Sequence, residues 1–199
     1  MEDLVADSVA MRPSPRRLLF VTSRLPYPPT EGHQLRSWHL LRAAASRHHV
    51  HLLSLLRPED PRELAPEARR LVADFEGIAI ADALPRQALA FAGSLAGGDP
   101  FVVRKYVTRA LRERFAKRVH SCDFVHLDML PLAALAPLAG PRPVVLNEHN
   151  VEHVLAASRA KLAHGAKRLA LASQLPSLRR FEREACERAT RVLACSDVD

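Results

Sequence analysis

The stretch FVTSRLPYPPTEGHQLRSWHLL, residues 20–41, decides the fold. An apolar run stops at Ser23, a loop stiffened by Pro26, Pro28 and Pro29 follows, and Gly32 leads into a helix-spaced segment that carries Arg36. An apolar run, a proline-rich turn and a helical pattern in that order read as a strand, a loop and a helix. In open parallel sheets ligands bind at the carboxyl ends of the strands, where this loop belongs. The prolines fix backbone angles, Gly32 admits a close approach, and the amides opening the next helix stabilise an anion. A plain connector with a glycine for its turn geometry accounts for the same residues, and both readings stay open at this point.

Working outward, further short apolar runs recur at 50–56, 78–80, 124–127, 144–146 and 192–194. They are mostly unbroken rather than alternating, as strands buried on both faces are. Helical segments separate them: a stripe of Leu35, Trp38, Leu41 and Ala45, then 63–75, then 85–95, then a stripe of Val107, Leu111, Phe115 and Val119. A long helical region over 150–189 is expected to break or kink at Pro176. Strands alternating with helices predict an α/β fold: a Rossmann-like, doubly wound, mainly parallel sheet with helices on both faces. Residues 1–15 read as a flexible tail and 16–199 as one domain. The chain stops just after a strand, so a further domain is expected beyond it.

The 199 residues carry a formal net charge of +7, which suits an anionic partner such as phosphate, nucleic acid or an acidic membrane face. Nucleic acid is disfavoured, because the basic residues are dispersed and aromatics make up only 5%. The segment 107–119 carries five cations around its apolar stripe; it reads as a helix docked on the sheet or as a basic helix on a membrane surface. Cys122, Cys186 and Cys195 are odd in number and lack metal spacing, which argues against a disulfide framework or a cysteine zinc site. There is no signal-peptide core and no apolar run of spanning length, so a cytoplasmic protein is expected, with at most peripheral contact with an anionic membrane.

The second informative stretch is VVLNEHNVEH, residues 144–153. A buried strand runs straight into Asn147, Glu148, His149 and Asn150, at the same sheet edge as the first loop. His149 suits holding a substrate hydroxyl or donating to developing negative charge. Asn150 suits the N-cap of the next helix. HNVEH also matches the H-x-x-E-H zinc pattern through His149, Glu152 and His153, but that chemistry needs both histidines on one helical face.

These residues together resemble the N-terminal half of GT-B glycosyltransferases of the group-1/family-4 kind, especially those of exopolysaccharide systems. The resemblance runs through the opening from Arg16 with its P-x-P-P loop, DFVHLDMLPLAALAPL, PVVLNEHNVEH and LRRFEREACERATRVLACSDVD. It implies an acceptor-side domain of a retaining enzyme, with a donor-binding C-terminal domain absent from the sequence. It implies that Gly32 approaches the donor diphosphate, that His149 sits against the donor sugar, that Arg36 and Asn150 support the site, and that Ser196 meets the cleft. No cofactor or metal is expected. The expected partners are a nucleoside-diphosphate sugar as donor and a glycan or lipid-linked acceptor. A non-catalytic Rossmann-like binding or scaffold module and a zinc hydrolase are the alternatives.

Overall fold

The computed structural model describes residues 14–80 and 83–195. Six strands form one sheet: β1 (Arg17–Thr22), β2 (His49–Leu56), β3 (Asp74–Ala79), β4 (Phe124–Asp128), β5 (Val144–Asn147) and β6 (Arg191–Leu193). Their spatial order is β3-β2-β1-β4-β5-β6 and every pairing is parallel. This is the doubly wound, Rossmann-type order, with its switch point between β1 and β4. Each strand is reached through a crossover that carries a helix or a long connection, so both faces are covered. The helices are α1 (Gly32–Ala45), α2 (Pro66–Arg69), α3 (Leu84–Gly97), α4 (Phe101–Tyr106), α5 (Arg109–Val119), α6 (Glu152–Leu162) and α7 (Gly165–Arg188). A 3₁₀ segment, Leu130–Ala139, follows β4.

Alternation along β1 divides the core in two. Leu18 and Phe20 join Leu41 of α1, Val50, Leu52 and Val72 on one face. Leu19 and Val21 join Leu53, Leu55, Phe115 and Leu178 on the other, where α5, α7 and the 3₁₀ segment pack. The stripe of Val107, Leu111, Phe115 and Val119 is buried in full, and the Thr108 hydroxyl accepts the Leu111 amide to start α5. The basic side of α5 is largely engaged within the domain. Arg118 pairs with Asp74 and Glu76 of β3, and Arg114 lies 3.2 Å from Glu76. The reading of this segment as a helix docked on the sheet therefore holds.

Several sequence expectations change. The helix expected over 63–75 shrinks to Pro66–Arg69, because Asp74 and Phe75 already pair with His51 and Leu52 as the start of β3. The α1 stripe is shifted: Leu35 is exposed, and the buried positions are Gln34, Ser37 and Leu41. Two of those three are polar because the first turns of α1 lie over the polar strand tips rather than over the apolar sheet. The long C-terminal helical region divides at Ala163 and His164, not at Pro176, which sits inside α7. Gly165 opens α7 at φ +55°, a left-handed angle that glycine adopts freely. Val151, not Asn150, is the N-cap of α6.

Candidate functional site

Register places three polar residues side by side at the carboxyl edge of the sheet. Thr22 of β1 is level with Asp128 of β4, and Asp128 is level with Asn147 of β5. Each is the last residue of a strand that is otherwise largely apolar, so polarity appears at the strand tips, where all three are nonetheless buried. α1 arrives over the same edge at the switch point.

Asp128 is the hub. It is buried, and its carboxylate accepts from Ser37 Oγ of α1 and, at 2.6 Å, from Asn147 Nδ2. His149 Nε2 lies 3.3 Å from its Oδ1, and His126 Nε2 is 3.8 Å away, too far for a hydrogen bond. Burial alone would raise the pKa of Asp128, but the neighbouring imidazoles outweigh it and hold the carboxyl below the usual carboxylate range. The His126 ring is stacked on Phe20, with centroids 4.1 Å apart.

His149 sits on the turn leaving β5, with its side chain 10% exposed. Its Nε2 faces both the Asp128 carboxylate and the Asn147 amide nitrogen, each at 3.3 Å, so these two groups hold the ring. Its backbone is also held, since Cys195 Sγ lies 3.0 Å from the His149 carbonyl. Arg36 completes the bracket. Its Nε donates to Asn147 Oδ1 at 2.9 Å, and its terminal nitrogens reach the Ala194 carbonyl and Cys195 Sγ, both at 2.9 Å. Arg36 thus ties α1 to the tips of β5 and β6; its contacts are with protein groups.

The first loop is fixed by Gln34. Its Oε1 accepts from the Thr30 hydroxyl at 2.8 Å and from the Thr30 and Glu31 amides at 3.2 Å, and its Nε2 donates to the Leu25 carbonyl at 3.0 Å. Tyr27, which precedes a cis proline, packs on Trp38. Gly32 is the first residue of α1, and a Cβ there would meet nothing within 4 Å. Its glycine is therefore not demanded by packing. The Glu31 carboxylate lies beside this helix start, 2.8 Å from Arg24 and 3.4 Å from His33, so an incoming anion competes with a resident one. Burial, chiefly, pushes the His33 pKa down, with help from His149 and Arg24 and against the pull of Glu31.

A cleft of about 170 Å³ joins these parts. It is lined by Arg24, His33 and Glu31 from the first loop and helix, Arg57 after β2, and His149, Asn150 and Glu152 after β5. Met129, at φ 140°, also faces it. That angle is strained for a methionine, a feature that gathers at working sites. Glu31 and His33, which flank Gly32, line this cleft together with His149; Gly32 itself does not line it. Asn150 is exposed and stands between this cleft and a larger cavity. Ser196 lies outside the described residues.

The larger cavity, about 590 Å³, runs between the tips of β5 and β6 and α7. Glu148 lines it and is 7% exposed, and neither carboxyl oxygen has a partner among the described residues. Burial, then the charges of Glu182 and Glu152, pushes its pKa up to about 8. Glu182 acts differently: its carboxylate accepts the Glu152 amide at 2.6 Å and the His153 amide at 3.2 Å, capping α6 from α7. Its Oε2 also contacts His153 Nδ1. The zinc pattern is thereby taken apart. His149 precedes the helix and faces Asp128, while His153 faces Glu182, and the described residues contain no metal-binding cluster.

Ser37 and Arg24 were not singled out from the sequence; Asp128 reads there only as an acid that ends a strand, with no partner named, and Glu148 as a group that orients His149 or faces solvent. The signal for Asp128 was present, since β1, β4 and β5 each turn polar at their last residue. Glu148 lay in the polar cluster after β5, but its burial without a hydrogen-bond partner among the described residues fits neither a solvated glutamate nor one that orients His149.

No family model matches this sequence, and no match is found among curated proteins. Among solved structures, one match is the crystal structure of Medicago truncatula UGT71G1 complexed with UDP-glucose. The two are 11% identical, with a TM-score of 0.44 over 92% of this chain and 52% of that one. The chain thus spans about half the length of that structure. The fold assignment above rests on strand order and register.

Proposed function

We propose that this chain is the acceptor-side domain of a retaining, GT-B-type glycosyltransferase of the group-1/family-4 kind. It moves a sugar from a nucleoside diphosphate to a glycan or lipid-linked acceptor, in polysaccharide assembly, together with a donor-binding domain. The observation that carries the reading is the shared cleft: Glu31 and His33 at the start of α1 and the imidazole of His149, beside Asp128, border it together.

Sugar transfer from a diphosphate builds positive charge at the anomeric carbon and negative charge on the leaving phosphate. The N-terminus of α1, Arg24 and Arg57 supply positive potential for that phosphate as it displaces the Glu31 carboxylate from Arg24 and the helix start. The His149 imidazole hydrogen-bonds a sugar hydroxyl and so fixes the ring beside the cleft. Asp128, Asn147 and Arg36 hold the imidazole in place, so its orientation is set before the ligand arrives.

The test is titration of isotopically labelled protein with UDP-glucose and other nucleotide sugars, followed by NMR. Shifts should concentrate at Gly32, His33 and His149, with weak affinity. His149→Ala should abolish them and leave the fold intact. Shifts confined to other regions, or none at millimolar ligand, would sink the reading. Fast sugar transfer by the 199-residue chain alone would overturn its assignment to the acceptor side only. The scaffold alternative predicts no nucleotide-sugar response at all.

A further inference from the structure

Helix α3 is turned inside out. Every exposed side chain between residues 84 and 96 is apolar, with Leu84, Leu89 and Leu95 at 81%, 75% and 58% exposure. Its polar side chains point the other way. Arg86 donates to the Lys105 carbonyl at 2.9 Å, and the buried Ser94 donates to the Phe91 carbonyl at 2.6 Å. The helix is held from beneath by Phe91 against Phe101 and by Arg104 of α4, whose guanidinium lies against Gly93 and Gly97. A helix on a water-exposed surface normally shows the opposite arrangement.

A cationic cleft adjoins this face. It has a volume of about 420 Å³, and among the described residues Arg86, Arg104, Arg109 and Arg112 line it together with one acid, Asp99. Leu89 belongs to both the cleft and the apolar face. Arg109 also pairs with Glu113, and Arg112 reaches the Ala134 carbonyl at 3.4 Å, so the arginines are anchored at the edge of the leucine face.

We propose that the outer face of α3 docks on an anionic phospholipid bilayer. The leucines enter the headgroup–acyl boundary and the arginine cleft meets lipid phosphates. Charge selects this occupant. A bilayer offers apolar depth and phosphate in one plane, which matches leucines beside arginines. A second copy of this chain, with its net charge of +7, would bring one arginine cleft against another. The apolar part of this surface is not the one offered by the membrane alternative for 107–119: α5 buries its apolar stripe and pairs Arg114 and Arg118 internally, contributing only Arg109 and Arg112 to the cleft, whereas α3 does not cover its leucines. The inference does not depend on the sugar-transfer reading.

The experiment is co-sedimentation with phosphatidylcholine vesicles, with and without phosphatidylglycerol, at low and high salt. The protein should bind the phosphatidylglycerol vesicles, weaken with salt and bind pure phosphatidylcholine far less. Replacing Leu84, Leu89 and Leu95 together by serine should lower the partition by roughly tenfold per leucine, with circular dichroism and Tm unchanged. Failure to bind the anionic vesicles would overturn the proposal. So would a triple variant that binds like the parent, or a dimer in sedimentation equilibrium that the triple variant dissolves.

Discussion

Replacing Glu148 by glutamine should change how stability depends on pH. In the fold, burial and the charges of Glu182 and Glu152 push this carboxyl up to about 8, from an ordinary value of 4.5. The unfolded chain gives up the proton at about 4.5 and the folded chain holds it to about 8. Between those values the native state binds more protons, so stability falls as pH rises and levels off above about 8. Each unit of that displacement is worth about 1.4 kcal/mol, so the carboxyl costs roughly 3 kcal/mol at neutral pH. A neutral amide of the same shape has no such slope. Urea unfolding, followed by circular dichroism from pH 5 to pH 8, measures both proteins. The stability of Glu148→Gln relative to the parent should climb by roughly 4 kcal/mol across that range, a large part of a typical domain's 5–15 kcal/mol. The comparison cancels groups that do not sense Glu148: burial lowers the pKa of His33 and His48, which makes stability rise with pH, and Asp128 acts only below its ordinary carboxylate range. Parallel curves for the two proteins would refute the reasoning, because they would mean that Glu148 is ionised in the fold and has found a partner.

Asp128→Asn should remove the anchor of His149 and cost about 3 kcal/mol in urea unfolding, since Ser37, Asn147 and His149 all face that carboxylate. The parent should lose this contribution only as the pH drops below about 4, and the variant should show no such acid limb. Gly32→Ala should leave stability within about 0.5 kcal/mol, because the site is open and needs no special backbone angle, while nucleotide-sugar shifts in NMR weaken. Thr108→Ala should cost about 1 kcal/mol by removing the cap of α5, read as a lower urea midpoint with an unchanged slope. Phe115→Ala, which empties a fully buried position, should cost about 3–5 kcal/mol in the same assay.

The sequence by itself determined the strands, the alternation that makes a parallel sheet, and the two turns that carry Gly32 and His149. Those features are local: an apolar run of strand length needs cover on both faces wherever it lies, and a proline-rich turn ends it. Tertiary structure decided which polar groups meet. Arg36 and Asn147 are 111 positions apart, and Ser37 and Asp128 are 91 apart, yet each pair is hydrogen-bonded. Parallel pairing puts Thr22, Asp128 and Asn147 level with one another, and no pattern within a single strand encodes that register. The same reason hid Glu148 and α3. Periodicity tells which face of a segment is apolar or charged, but only the packing of its neighbours tells whether that face is covered. Here a glutamate ended up buried without a partner among the described residues, and a row of leucines ended up in water.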